Sequence, residues 1–311
     1  MASDPNNYDH FLCRMSGGPV TPDAPIIEQG VFIPNDAPGT YTVGNMAHYD
    51  GILLSVHFWT EEKQFVEGSA VMVAPGIAIA AAHVIGPRAT AIKNGTLRIF
   101  CNGLTPSGLR HWKVRHVCEA HNTDLFVLSL EYASPIEANS TFKQAVISTR
   151  LPQVGESIMI AGFRATELDF EVKDGHLLYK GDVRIGVGTV TERYPDGRDS
   201  IVLPWPTIEV DCGTKGGMSG GPAFDKNGKL IGILTSSFEA EDDLGPSYVS
   251  LLWPALAVTI VPAWLQQFVG GPKSLLEMDR QLCGIDRPDA IVTRADPSTG
   301  QIRLVVTLWE E

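Results

Sequence analysis

The stretch Gly216-Gly217-Met218-Ser219-Gly220-Gly221-Pro222 sets one serine in a glycine-rich turn, directly ahead of a strand-like run from Lys229 to Ser237. Acyl transfer needs a hydroxyl nucleophile within reach of a base, and unblocked backbone N–H groups aimed at the oxygen that becomes negative. Glycines on both sides of Ser219 leave that space open and permit backbone angles that a β-carbon forbids. By itself such a turn is equally an ordinary turn, so its meaning depends on what else the chain carries.

Two further segments supply that context. Gly68 to Gly76 (GSAVMVAPG) reads as a strand and tight turn, and Ile77 to Val84 (IAIAAAHV) reads as a buried strand delivering His83 at its end. His121-Asn122-Thr123-Asp124 then places an acid just before the apolar run Leu125 to Leu130. Singly, His83 also reads as a satisfied core histidine, and Asp124 as a turn residue bonding its own backbone. Jointly, "AAAHV", "DLFVLSL" and "GMSGGP", in that order, resemble the chymotrypsin/trypsin-like serine peptidase family. The closest likeness is to its bacterial or intracellular-type branch, as an HtrA-like catalytic domain without a PDZ module.

The resemblance implies a serine endopeptidase working through an acyl-enzyme. Ser219 would attack the scissile carbonyl, His83 would take and return the proton, and Asp124 would orient the imidazole. The N–H groups of Gly217 and Ser219 would form the oxyanion hole. The substrate pocket would take Gly213, Thr214, Thr235, Ser236 and Ser237. With no carboxylate at Gly213 and no histidine at Leu234, small or medium apolar side chains are the expected preference. Zymogen-type members hold a new N-terminus with an Asp just before the serine, where this chain has Met218 and no Ile-Val-Gly-Gly segment. Constitutive assembly of the oxyanion hole is therefore expected, with ordering by a protein partner or by the N-terminal arm as the other route. A catalytically silent binding or regulatory protein on the same scaffold, or an esterase, are the competing functions. Activity should rise with pH as the His83 imidazole becomes neutral.

Composition fits this picture. A chain of 311 residues with 44% hydrophobic residues, 31 Gly and 21 Pro suits short strands joined by many turns. A net charge of −12 makes a nucleic-acid backbone an unsuitable partner. The expected partners are a protein or peptide substrate, with room for an activating or inhibitory protein. Residues 1–12 lack the basic start and apolar core of a secretory signal, and no run reaches the ~18 apolar residues of a membrane span, so a cytoplasmic protein is expected. Cys13, Cys101, Cys118, Cys212 and Cys283 are odd in number and lack the family's usual positions, so reduced thiols are expected, with Cys101–Cys118 the one pair to consider. His111, His116, Cys118 and His121 cluster without a zinc motif; no metal and no cofactor are expected.

The expected fold class is all-β: two six-stranded antiparallel barrels with a short C-terminal helix and extra C-terminal elements. Residues 1–45 read as an irregular arm and 46–270 as the peptidase domain, with barrels over about 46–135 and 150–270. Residues 271–311 read as an extension of helix plus hairpin. First-barrel strands are expected at Ile52–Phe58, Ser69–Val73, Ile77–Ala81, Leu97–Cys101, Trp112–Cys118 and Leu125–Leu130. Second-barrel strands are expected at Ser157–Ala161, Leu168–Val172, Arg184–Glu192, Thr207–Val210, Leu230–Ser237 and Tyr248–Leu252. Helices are expected after Pro262 and over Ser274–Leu282, and a hairpin joins Ile291–Thr293 to Ile302–Val306.

Overall fold

Alternating and fully apolar runs dictate strands here, and the computed structural model closes them into two barrels. It describes residues 11–12, 26–30, 39–42 and 49–309, except 107, 135–140, 165, 168–170, 174–175, 179–182, 238–244, 265–269, 279, 296–301 and, beyond Trp309, residues 310–311. The first barrel comprises β1 (Leu53–Trp59), β2 (Gln64–Ala74), β3 (Ile77–Ala81), β4 (Arg98–Thr105), β5 (Gly108–Ala120) and β6 (Leu125–Tyr132). The second comprises β7 (Ser157–Phe163), β8 (Val183–Tyr194), β9 (Thr207–Val210), β10 (Pro222–Phe224), β11 (Leu230–Ser237) and β12 (Ser247–Leu251).

Both are antiparallel and both close. In the first, β1 pairs with β2 and β4, β3 with β2 and β6, and β5 with β4 and β6. In the second, β7 pairs with β8 and β10, β11 with β10 and β12, and β9 with β8 and β12. Closure removes exposed sheet edges and turns Leu54, Val56 and Phe58 of β1 into a buried face with Val71, Ile79 and Leu128.

The second barrel departs from expectation at one strand. Of the expected Leu168–Val172, Glu171 and Val172 fall in a strand Glu171–Lys173 that pairs with His176–Leu178 in a separate ribbon, and residues 168–170 lie outside the described residues. The sixth strand is instead β10, immediately after the Ser219 turn. Three residues are too short to announce themselves by alternation, but they are wholly buried between β7 and β11.

Elements outside the barrels tie the chain together. Phe11–Leu12 pairs with β5, Ile26–Gly30 runs parallel to Thr141–Ala145, and Gly39–Thr42 pairs with β8. The stretch read as an irregular arm thus supplies three strands, each paired with a segment distant in the chain rather than in a hairpin of its own. At the other end, the described residues of Ser274–Leu282 form no α-helix but a 3-10 turn, Leu275–Glu277, closed by a capping box between Ser274 and Glu277. Met278 leaves it with extended angles, and Leu275 and Met278 are both buried. Packing of those two side chains outweighs a propensity that one turn is too short to realise. The hairpin forms as Ile291–Ala295 paired with Ile302–Val306. Of the helix expected after Pro262, residues 265–269 lie outside the described residues. Among the described residues, no helix is long and apolar enough to cross a membrane.

Two buried polar groups stabilise the frame and are open to test. Arg150, in the segment between the barrels, is 2% exposed; its Nη1 donates to Glu156 at 2.6 Å and its Nη2 to Asp225 at 2.9 Å. Burial pushes the Glu156 carboxyl up, yet the Arg150 and Gln153 hydrogen bonds more than offset it and hold it below its ordinary value. Arg150→Ala leaves two buried carboxylates without their hydrogen-bonded cation, and should cost about 3–5 kcal/mol in urea denaturation. On β1, the fully buried His57 ring faces Ser55 and Asn102 at 2.7 and 3.2 Å, with Phe100 stacked on it at 4.9 Å. Burial, then the nearby His111, lowers its pKa to about 3. An unfolded histidine binds its proton near ~6.5, so the contribution of neutral His57 is whole above that pH and is lost as pH falls toward 3. His57→Gln should remove about 1.4 kcal/mol of acid destabilisation per pH unit between pH 6 and 4, measured as thermal midpoints.

Candidate active site

Asp124 is placed by its turn. Asn122 takes left-handed angles (φ 58°), and the Thr123 hydroxyl spans Ala120 O at 2.5 Å and the Leu125 N–H at 3.1 Å. Asn tolerates that conformation better than most residues, which is why this short link can start β6 abruptly. β6 is paired with β3 through Ala81↔Leu125, so Asp124 emerges beside the end of β3.

At that end the chain turns into α1 (Ala82–Ile85), a single helical turn without a side-chain cap of its own. Asp124 fills the gap. Its carbonyl accepts the Ala82 N–H at 3.0 Å, and its Oδ1 accepts the His83 N–H at 2.8 Å. Two of the first-turn amides that a helix cannot satisfy internally are thereby met by one residue of another strand. The second carboxylate oxygen accepts His83 Nδ1–H at 2.7 Å and also the Thr235 hydroxyl. An ionised carboxylate only accepts, so in the neutral imidazole the proton sits on Nδ1 and the lone pair on Nε2. Asp124 is buried, whereas the His83 side chain is 45% exposed. The imidazole is thus fixed from behind and open in front.

The serine turn meets this pair across the barrels. Ser219 O accepts the Ser69 N–H of β2 at 2.8 Å, and Gly220 donates to Leu234 O of β11 at 2.8 Å. Gly220 has φ +81°, and a β-carbon there would fall 2.1 Å from Ser69 O and 3.0 Å from Ala81 N, two residues before His83. Only glycine lets the turn approach that closely. Ser219 is half-buried; among the described residues its hydroxyl makes no hydrogen bond, and neither the Gly217 nor the Ser219 amide has an acceptor. Nucleophile-to-base bonds are often long in unliganded enzymes and shorten with substrate bound.

The expected pocket residues divide. Gly213 and Thr214 are buried, and the Thr214 hydroxyl bonds Ser247 Oγ at 2.7 Å. Thr235 turns its hydroxyl to Asp124 rather than outward, a role the sequence reading did not assign. A hydroxyl residue on the strand after the serine turn was its only local signal. Ser236 is half-buried, and the Ser237 side chain lies outside the described residues. Of the histidine-cysteine cluster, His111 bonds Asn102 at 2.8 Å, and burial pushes the Cys118 thiol up to about 11. Cys101, Cys118, Cys212 and Cys283 are all buried and, among the described residues, in no disulfide, so Cys101 and Cys118 are not bridged to each other.

Residues 68–233, more than half of the chain, match the family described as a trypsin-like peptidase domain. No curated protein matches the chain. Solved structures that resemble it include Deg5, at 19% identity over 72% of this chain and 92% of that one with a TM-score of 0.44. The MamO protease domain from Magnetospirillum magneticum is 14% identical over 68% and 95%, with a TM-score of 0.42. Neuropsin, a serine protease of mouse brain, is 14% identical over 68% and 93%, with a TM-score of 0.45.

The double contact of Asp124 with His83 has its own test. In proton NMR, the His83 Nδ1–H should give a slowly exchanging low-field resonance that vanishes in Asp124→Ala, while dispersed methyl signals of the barrels persist. Persistence of that resonance would show that another group holds Nδ1.

Proposed function

We propose that this chain, which belongs to the trypsin-like peptidase family and is accordingly a serine peptidase acting on peptide or protein substrates, cleaves them through His83, Asp124 and Ser219. The observation that carries this reading is the two-point contact of Asp124 with His83 at 2.8 and 2.7 Å, beside the point where the Ser219 turn crosses onto β2. A carboxylate that bonds both the backbone and the ring of one histidine leaves that ring no rotational freedom to lose in the reaction.

The steps follow from this arrangement. His83 Nε2 takes the proton of Ser219 Oγ as that oxygen bonds to the substrate carbonyl carbon. The carbonyl oxygen gains the negative charge, and the amides of Gly217 and Ser219, which have no acceptor among the described residues, are the donors to meet it. Protonated His83 is stabilised by the buried Asp124 and gives its proton to the leaving amine as the C–N bond breaks. Water then enters, loses a proton to His83, and attacks the acyl-enzyme; the acid product leaves and Ser219 regains its hydrogen. Thr235, donating to the same carboxylate oxygen as His83, holds Asp124 at its post.

The pocket on this reading has no fixed charge at Gly213 or Thr214, so neutral side chains suit it. A fluorophosphonate should add one adduct to the wild-type protein and none to Ser219→Ala or His83→Ala. Peptide hydrolysis in those variants should fall by at least about three orders of magnitude. Peptide cleavage that survives Ser219→Ala would overturn the assignment, and ester-only turnover would move the substrate class.

A further inference from the structure

Met218 stands directly before Ser219 and is fully buried. Its thioether sulfur accepts the Lys215 N–H at 3.3 Å, while its own N–H donates to Lys215 O at 3.1 Å. The four-residue turn Lys215–Met218 is therefore closed twice, once by main chain and once by a side chain. The Met218 carbonyl accepts the Gly221 N–H at 2.9 Å, which closes the next turn around Ser219. On its far side lies Gly162 of β7, where a β-carbon would come 2.8 Å from the Met218 Cα, Cβ and O alike. The second barrel presses its backbone flat against this one residue.

Every polar group of Met218 is thus engaged, and the residue is walled in. The amides on either side of it, Gly217 and Ser219, are the ones with no acceptor among the described residues. A carboxylate at this place, buried to the same degree, would need a cation to neutralise it. A thioether needs only a donor, and Lys215 N–H supplies one without any charge partner.

Resting on the reading of Ser219 as nucleophile, we propose that Met218 is a positioning residue: its sulfur, bonded to the Lys215 amide, fixes the turn so that the Gly217 and Ser219 amides stand ready before substrate arrives. The turn then needs no newly cleaved N-terminus and no ionic partner to assemble. Catalytic competence is built into the folded chain through a neutral side chain.

The test uses Met218→Leu, which keeps the volume and removes the acceptor, and Met218→Gln, which restores an acceptor at similar length. Hydrogen exchange of the Lys215 amide, fluorophosphonate labelling rate, kcat and KM are measured on all three proteins. Loss of one weak hydrogen bond should speed Lys215 exchange about fivefold in Met218→Leu. Exchange at Met72, whose N–H is bonded to Ile52 O in the first barrel, should not change. Labelling rate and kcat should fall about tenfold with KM within about twofold, since the loss falls on the charge formed in the transition state. Met218→Gln should recover both exchange protection and kcat. Unchanged Lys215 exchange in Met218→Leu overturns the sulfur bond. Unchanged kcat, or a loss that Met218→Gln does not recover, overturns the positioning role. If wild type takes no label while Lys215 exchange still depends on Met218, the nucleophile assignment fails and the strut is structural only.

Discussion

The hydrogen bond from Ser69 N–H to Ser219 O joins the two barrels at the point where the chemistry is assembled. Ser69 lies on β2, which pairs with β3 through Ala70↔Ala80, and β3 pairs with β6 through Ala81↔Leu125. One continuous ladder therefore sets the end of β3, the start of β6 and the serine turn relative to one another. His83, Asp124 and Ser219 come from segments far apart in the chain, yet each leaves this ladder within two residues of a paired position or bonds directly to it. Gly220 makes the junction sterically feasible, since any β-carbon there would collide with Ser69 O. A second link, Phe163 N–H to Ser69 Oγ at 2.8 Å, uses the side chain of the same residue. Ser69 is thus bonded to the second barrel through both its backbone and its hydroxyl.

Electrostatics at this junction follow from burial. Asp124 is nearly inaccessible, and its carboxylate accepts from a backbone N–H, a ring N–H and a hydroxyl, the donors that a buried anion requires. The arrangement puts the negative charge behind the imidazole and leaves the front of the ring to substrate. Elsewhere the buried charge is structural. Arg150 bonds Glu156 and Asp225 and anchors the segment between the barrels onto the second one. The His57 row on β1 is a neutral counterpart, stable only while its imidazole stays unprotonated.

Where expectation and structure differ, tertiary closure prevailed over local pattern. Leu168–Val172 has strand composition, but the place it was expected to fill is taken by Pro222–Phe224, which follows the serine turn directly and reaches both β7 and β11. Ser274–Leu282 has helical spacing, but burial of Leu275 and Met278 draws the chain out after one turn. Thr235 was read as a pocket residue from the family resemblance; what the structure adds is that its hydroxyl bonds Asp124, 111 residues earlier.

Sequence alone determined the all-β architecture and most strand positions, because periodicity, apolar runs and glycine-rich turns are properties of neighbouring residues; the His, Asp, Ser order rested on the resemblance of three motifs to a known family. It also marked Met218 as a departure, since an uncharged residue stands where a charge partner is usual. Only the tertiary structure decided which short strand completes the second barrel, that Thr235 supports Asp124, and that the Met218 sulfur bonds the Lys215 amide. The first two depend on which segments meet once both barrels have closed, the third on how one buried four-residue turn folds, and hydrogen bonds of that kind leave no periodic trace along the chain.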